Sequence, residues 1–216
     1  HPDAKLASWI SSKIRATAPS PSPVFIAAGL KHPHLPWYPD AAALAVARSF
    51  GIPFERASSS SKQPLLAKLP YPLCQIGEII AESIEEMGGS DGLKLLVDYY
   101  SGATSLVDRH IGTILAAADT VNRPRITVLM SDHGFGLGER GHLKKYVPWR
   151  FSARAPLLIH DSRLEAARAS AARMWKAPVS FLDVFPTLVD GLCTDNAIES
   201  CRDKGLYLSG RSLWPV

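Results

Sequence analysis

The sequence predicts an α/β fold with a mostly parallel sheet and helices on both faces. Three observations carry that expectation. Short apolar runs of strand length alternate with longer segments whose apolar residues recur at helical spacing. Polar, glycine- or proline-rich clusters follow two of those runs at once, as they do at the carboxyl ends of strands in open α/β sheets. The 216 residues are 46% hydrophobic and 20% charged, which suits one globular domain with a substantial core and not a disordered chain.

The elements follow in order. Asp3 to Arg15 carries Leu6, Trp9, Ile10 and Ile14 near helical spacing, and prolines 19, 21 and 23 stop it. Val24 to Ala28 reads as a short buried strand, followed by the proline-rich loop Lys31 to Pro36. Residues 51 to 75 hold a serine run, Ser58 to Ser61, and four prolines, so an irregular excursion is expected there. Ile76 to Met87 reads as a helix ended by Gly88-Gly89. Leu93 to Ala118 reads as a long helix with Tyr100, Val107, Ile111, Ile114 and Ala118 on one stripe. Arg125 to Met130 is the clearest strand, and Pro156 to His160 is another. Leu164 to Trp175 and Ser180 to Leu192 read as helices, with Pro186 near the first turn of the second.

Charge and cysteine usage narrow the function. The net charge of +4 is spread without a basic block, so no nucleic-acid partner is expected. No apolar run approaches the roughly 20 residues of a membrane span. Cys74, Cys193 and Cys201 form no CxxC and no zinc spacing, and the odd number leaves a thiol free even if Cys193 and Cys201 pair. No P-loop and no GxSxG elbow occur.

Three clusters carry possible chemistry. Asp132 and His133 sit where the clearest strand ends, and there a carboxylate and an imidazole can converge on one cation. The oxygen suits calcium or magnesium, while the imidazole widens the choice to zinc or manganese. The alternative is a capping Asp132 and a packed His133. Lys144-Lys145, beyond a glycine loop, offers an ammonium for an anion beside that cation, or a solvated pair. His32 and His34 flank Pro33 in an extended loop, where both can face one pocket. Residues 136–141 also match GxGxxG, with Asp161 twenty residues beyond Gly141. No good helix follows these glycines, which disfavours a dinucleotide site.

Taken in order, these segments resemble the sulfatase family within the alkaline phosphatase superfamily, in its iduronate-2-sulfatase-like branch. Residues 23–38, PVFIAAGLKHPHLPWY, are similar to that branch's strand and (H/R)KPHxPF loop. Residues 99–112, YYSGATSLVDRHIG, resemble its YYASVSYVDxxxG helix. Residues 127–141, TVLMSDHGFGLGERG, resemble its SDHGxxLGEHG signature. RAPLLI at 154–159, DVFPTL at 183–188 and GRSL at 210–213 resemble its RVPL, DLxPTL and GRSL segments.

The resemblance implies an alkaline-phosphatase/sulfatase-like sheet and hydrolysis of a sulfate ester, with sulfated sugars among the candidate substrates, as the parent activity. It implies a divalent cation, usually calcium, held by Asp132 and His133, with magnesium, manganese or zinc less expected. It implies that Lys145 and His34 contact the sulfate, His34 also assisting the leaving group, with His32 ranked below them. The family's formylglycine motif CxPxR, its N-terminal paired aspartates and its GKxxH segment do not occur in the sequence. Residues 1–216 are therefore expected to form a partial domain, without the nucleophile segment and the small C-terminal sheet. It is expected to be inactive alone and to work with a missing N-terminal half or a complementary chain. The compartment stays open; the resemblance points to a secreted, periplasmic or lysosomal protein, the common places for such relatives. A phosphodiesterase or phosphonate monoester hydrolase of the same superfamily, and a non-catalytic remnant, are the competing expectations.

Overall fold

The computed structural model describes residues 1–51, 86, 88–139, 143–164, 174–192, 205 and 209–214. The chain divides into two units, His1–Arg123 with Asp132–Ala155, and Pro124–Ser131 with Pro156–Val216. The expected helix at 76–87 apart from Glu86, the excursion before it beyond Gly51, most of the helix at 164–175 and all three cysteines lie outside the described residues.

In the first unit, capping and small residues set the packing. Helix α1 (Pro2–Ala16) places Pro2 in its first turn, and the His1 side chain accepts from the Asp3 N–H at 3.2 Å. Helix α2 (Ala41–Ser49) went unanticipated. Its signal is Asp40, whose carboxylate accepts from the Ala43 N–H at 2.8 Å, ahead of an alanine-rich run. Helix α3 (Ser90–Asp119) follows Gly88 and Gly89, both at positive φ, and runs close to its expected bounds. Both α1 and α2 pack on α3. Ala7 and Ile10 of α1, Ala43 and Ala47 of α2, and Ala103 and Ala117 of α3 are all buried. Gly102 lets α3 approach the α2 entrance, since a Cβ there would lie 2.8 Å from Pro39 Cβ.

The same unit holds a small hairpin, β2 (Gly136–Leu137) with β3 (Leu143–Lys144), paired antiparallel, and a one-turn helix α4 (Arg150–Ala153). Gly136 therefore lies in a strand and opens no helix, which removes the dinucleotide alternative. Val24 to Ala28 departs from its expected buried strand. It pairs with no strand among the described residues and exposes Val24, Phe25 and Ile26, Phe25 at 74%. An apolar run becomes a buried strand only between neighbours, and the described strands of this unit are occupied with each other.

In the second unit, β1 (Ile126–Met130) and β4 (Leu157–Asp161) pair antiparallel, Ile126 opposite Asp161 and Met130 opposite Leu157. A parallel pairing was expected, and the connection explains the difference. Parallel neighbours need a crossover of a dozen or more residues, usually a helix. Among the described residues, the chain between β1 and β4 carries a hairpin and a single helical turn and no crossover helix. The pairings among the described residues are thus antiparallel within an α/β chain. Asp161, the residue a dinucleotide site would use, is buried at the end of β4 and bound by the Arg163 guanidinium, its Nη2 at 2.8 Å.

Helix α5 (Val184–Leu192) follows a 3₁₀ turn at Phe181–Asp183, and a capping box ties the start. The Asp183 carboxylate accepts from the N–H of Ser180 at 2.8 Å and of Arg211 at 2.9 Å. Thr187 Oγ1 accepts from the Leu213 N–H at 2.9 Å. Gly210 is forced by the same closeness, because a Cβ there would stand 2.1 Å from Leu182 O. So the segments 183–188 and 210–213 are stitched together by a buried carboxylate and a hydroxyl.

The N–H groups of Ser180 and Arg211 hold the Asp183 carboxyl below its ordinary 3.8, against the opposing effect of burial. A folded-state pKa below the unfolded one adds stability above pH 3.8, and that stability is lost as pH falls through the folded value. Asp183→Ala is expected to cost about 2 kcal/mol near neutral pH, the range for losing a cap and leaving donors unpaired. Denaturant melts of both proteins from neutral pH downward check this. The gap should narrow below pH 3.8, and a constant gap would contradict it.

Candidate active site

Asp132 and His133 leave β1 and enter a loop held by close backbone contact. The Gly134 N–H donates to Ser152 O at 2.7 Å, and a Cβ on Gly134 would stand 2.0 Å from Phe151 O. Only glycine fits there. The loop aims His133. Its Nδ1 is 2.8 Å from Gly134 O, a carbonyl that can only accept, so Nδ1 carries a proton. In the neutral ring, Nε2 then offers a lone pair. Asp132 Oδ2 lies 3.3 Å from that Nε2 on a largely exposed side chain, and Lys145 Nζ lies 2.7 Å from it.

Lys145 is delivered by unusual backbone. Lys144 and Tyr146, on either side of it, have φ of 73° and 74°. Two consecutive-but-one non-glycine residues in the left-handed region store strain that the surrounding structure must hold. Neither residue type marks such a conformation. His133, Lys145, Tyr146, Val147, Pro148 and Ser152 line a depression of about 380 Å³.

The loop bearing His32 and His34 separates its two histidines. His32 is buried, its Nδ1 2.7 Å from Asp3 Oδ2. The N–H groups of Lys31 and His32 donate to the same carboxylate, each at 3.0 Å. Burial would raise the Asp3 carboxyl, but these donors prevail and hold it below its usual range. His34 is exposed, with Nδ1 2.7 Å from Leu35 O. The two rings therefore do not share a pocket, contrary to the expectation for a histidine pair around a proline. The sulfate contact allowed for His32 has no exposed ring to make it, because a buried carboxylate claims that imidazole.

The His34 loop meets the His133 loop through three aromatic rings. Trp37 stands edge-on to Phe135 at 5.6 Å and to Tyr100 at 5.6 Å, and Tyr100 stacks on Phe135 at 5.4 Å. Trp37 Nε1 also donates to Pro33 O at 2.7 Å. These rings come from three separate motifs of the sequence, and their contact is what brings the loops together. The structure thus joins Asp132, His133 and Lys145 directly, and seats the His34 loop against them through Trp37. Asp3 and Ser152 escaped the sequence reading; nothing local marks either.

A carboxylate, an imidazole lone pair and an ammonium meeting beside an open depression are the equipment of a protein that handles an anionic group next to a cation. The family model described as Sulfatase matches residues 2–192. The chain belongs to the sulfatase family.

A sulfatase of Formosa agariphila is 28% identical over 196 residues, covering 88% of this chain and 36% of that protein. An arylsulfatase of Clostridium perfringens is 26% identical over 161 residues, covering 68% of this chain and 33% of that one. Mouse (Mus musculus) iduronate 2-sulfatase is 27% identical over 158 residues, covering 65% and 27%. Among solved structures, a protein in complex with its substrate D-glucosamine-2-N,6-O-disulfate shares the fold. Its TM-score is 0.57 at 18% identity, over 98% of this chain and 51% of that one. The chain spans about a third of the length of the curated relatives it matches. No helix among the described residues is long and apolar enough to cross a membrane.

The sulfatase family uses a divalent metal. The residues present fit two of its ligands: Asp132 offers a hard, solvent-facing oxygen, and His133 an Nε2 whose lone pair is fixed by the Gly134 carbonyl. Among the described residues, no third carboxylate, imidazole or thiolate joins this pair at ligand spacing.

Proposed function

We propose that this chain carries the cation-holding and sulfate-gripping part of a sulfuric ester hydrolase. Asp132 and His133 would hold the ion, calcium in the first instance, and the ion would supply positive charge beside the sulfate. Lys145 Nζ contacts the equatorial sulfate oxygens. His34 donates a proton from Nε2 to the leaving oxygen, its Nδ1–H being spent on Leu35 O. The observation that carries this reading is the meeting of Asp132, His133 and Lys145 around one nitrogen, at 3.3 and 2.7 Å. It also explains why Lys145 sits between two strained residues, since the ammonium must be presented at that spot.

The nucleophile is assigned to no residue of this chain. None of Cys74, Cys193 and Cys201 lies in a CxPxR motif. Turnover accordingly requires that motif from a segment or chain outside residues 1–216, and the greater length of the relatives supports this. The substrate is a sulfate ester, with sulfated sugars the leading class.

Calorimetric titration of calcium into the protein, with and without sulfate, tests the reading. Wild type should bind calcium, and sulfate should tighten it. Asp132→Asn should weaken calcium at least tenfold, the cost seen for perturbed metal sites. Lys145→Ala should leave calcium binding and remove the sulfate effect. Calcium affinity unmoved by Asp132→Asn would overturn the assignment. If phosphate tightened calcium far more than sulfate, the site would serve a phosphoryl hydrolase instead.

A further inference from the structure

The depression beside His133 and Lys145 has an apolar side that neither a cation nor a sulfate uses. Tyr146, Val147 and Pro148 supply it. Val147 is buried, whereas Tyr146 is 57% exposed. The volume of about 380 Å³ falls within the roughly 300–1,000 Å³ of small-molecule sites. It therefore has room for the group that carries a sulfate as well as for the sulfate.

The backbone turns the Tyr146 side chain to this place. Consecutive side chains of an extended strand point to opposite faces. Lys145 and Tyr146 are consecutive and directly follow β3, yet both line the depression. The φ of 74° at Tyr146 is the departure from extended backbone that goes with this. A bulky residue seldom takes that conformation, and the surrounding structure must hold it. The ring also turns its face to the sulfate-gripping group. Lys145 Nζ lies over it, 5.8 Å from the centroid. A sulfate oxygen on that ammonium would stand about 2.8 Å from Nζ. The ester oxygen and the carbon bearing it then lie a few ångströms further on, within reach of the aromatic face.

We propose that Tyr146 is a specificity-determining residue, whose ring stacks on the ring that bears the sulfate ester. The site then takes cyclic sulfate esters in preference to acyclic ones. This inference rests on the sulfate contact of Lys145 and extends it to the group behind the sulfate. The electron-rich face of an aromatic side chain suits the C–H face of a sugar and, in an offset stack, an aryl ring. Val147 and Pro148 continue the apolar side beyond it. The phenolic hydroxyl has no part in such a stack.

Calorimetry with three sulfate esters, in excess calcium, tests this. No residue of the chain is assigned as nucleophile, so the esters act as ligands. Methyl sulfate has no ring, glucose-6-sulfate a saturated one and p-nitrophenyl sulfate an aromatic one. The ring esters should bind about fivefold tighter than methyl sulfate, the gain expected of one stacked ring. Tyr146→Phe should keep that ratio. Tyr146→Asn removes the ring with a residue type that accepts positive φ, and it should bring the ratio close to one. A gain confined to glucose-6-sulfate would assign sugars and one confined to p-nitrophenyl sulfate would assign aryl esters; either upholds the stack. A ratio near one in wild type, or a ratio that survives Tyr146→Asn, would overturn the inference and leave the sulfate site standing. Failure of all three esters to bind wild type would instead overturn the Lys145 contact, and this inference with it.

Discussion

Trp37→Ala is expected to unseat the His34 loop and to destabilise the first unit by about 3–5 kcal/mol, the usual cost of emptying a buried aromatic site. Trp37 is 9% exposed and touches both Tyr100 and Phe135. Its indole N–H also fixes Pro33 O, one residue before His34. Removing it deletes the contact between the loop of His34 and the loop of His133. Thermal melts should show a loss of roughly 10 °C. Trp37→Phe keeps a ring and loses one hydrogen bond, so it should cost only about 1 kcal/mol beyond its smaller size. The pair of variants separates stability from positioning. In Trp37→Phe, calcium affinity should hold while the sulfate effect on it falls, because only the His34 side has moved. Equal melts for Trp37→Ala and wild type would show that the aromatic cluster does not join the two loops.

Gly134→Ala should be the most damaging single methyl in the candidate site. The new Cβ would stand 2.0 Å from Phe151 O and 3.0 Å from its carbonyl carbon. Those are backbone atoms of α4, so no side chain can swing aside. The loop must retreat, breaking the Gly134–Ser152 hydrogen bond and moving the carbonyl that orients His133. Overpacking of this kind costs about 1–3 kcal/mol or more. Calcium affinity should fall at least tenfold, since the ring that supplies Nε2 loses its fixed tautomer and aim. Ser152→Ala serves as the control. It keeps the backbone carbonyl that Gly134 uses, and it should leave calcium affinity near that of wild type. A Gly134→Ala protein that binds calcium normally would mean the ring is not positioned by this loop.

Much of this site could be read from the residues alone, and the reasons are physical. Helix α3 announces itself by the helical spacing of its apolar residues between Leu93 and Ala118, and β1 by a short, mostly apolar run followed by a polar cluster. Asp132, His133 and Lys145 were visible because they lie close in sequence around one turn. Asp3 was not, since its partners Lys31 and His32 are 28 and 29 residues away and nothing local marks the pairing. His32 and His34 looked equivalent in sequence, and only tertiary burial tells them apart. Helix α2 was legible in Asp40 and its alanines but was masked by the irregular stretch beyond it. Val24 to Ala28 and the pairing of β1 with β4 went the other way, because an apolar run fixes neither its neighbours nor their direction.

The most direct measurement is a structure determined at high calcium and sulfate. The expected result is an ion about 2.4 Å from an Asp132 oxygen and bonded to His133 Nε2, with a sulfate oxygen on Lys145 Nζ and another facing His34. Sulfate bound away from Lys145 and His34, or an ion that ignores Asp132 and His133, would contradict the site.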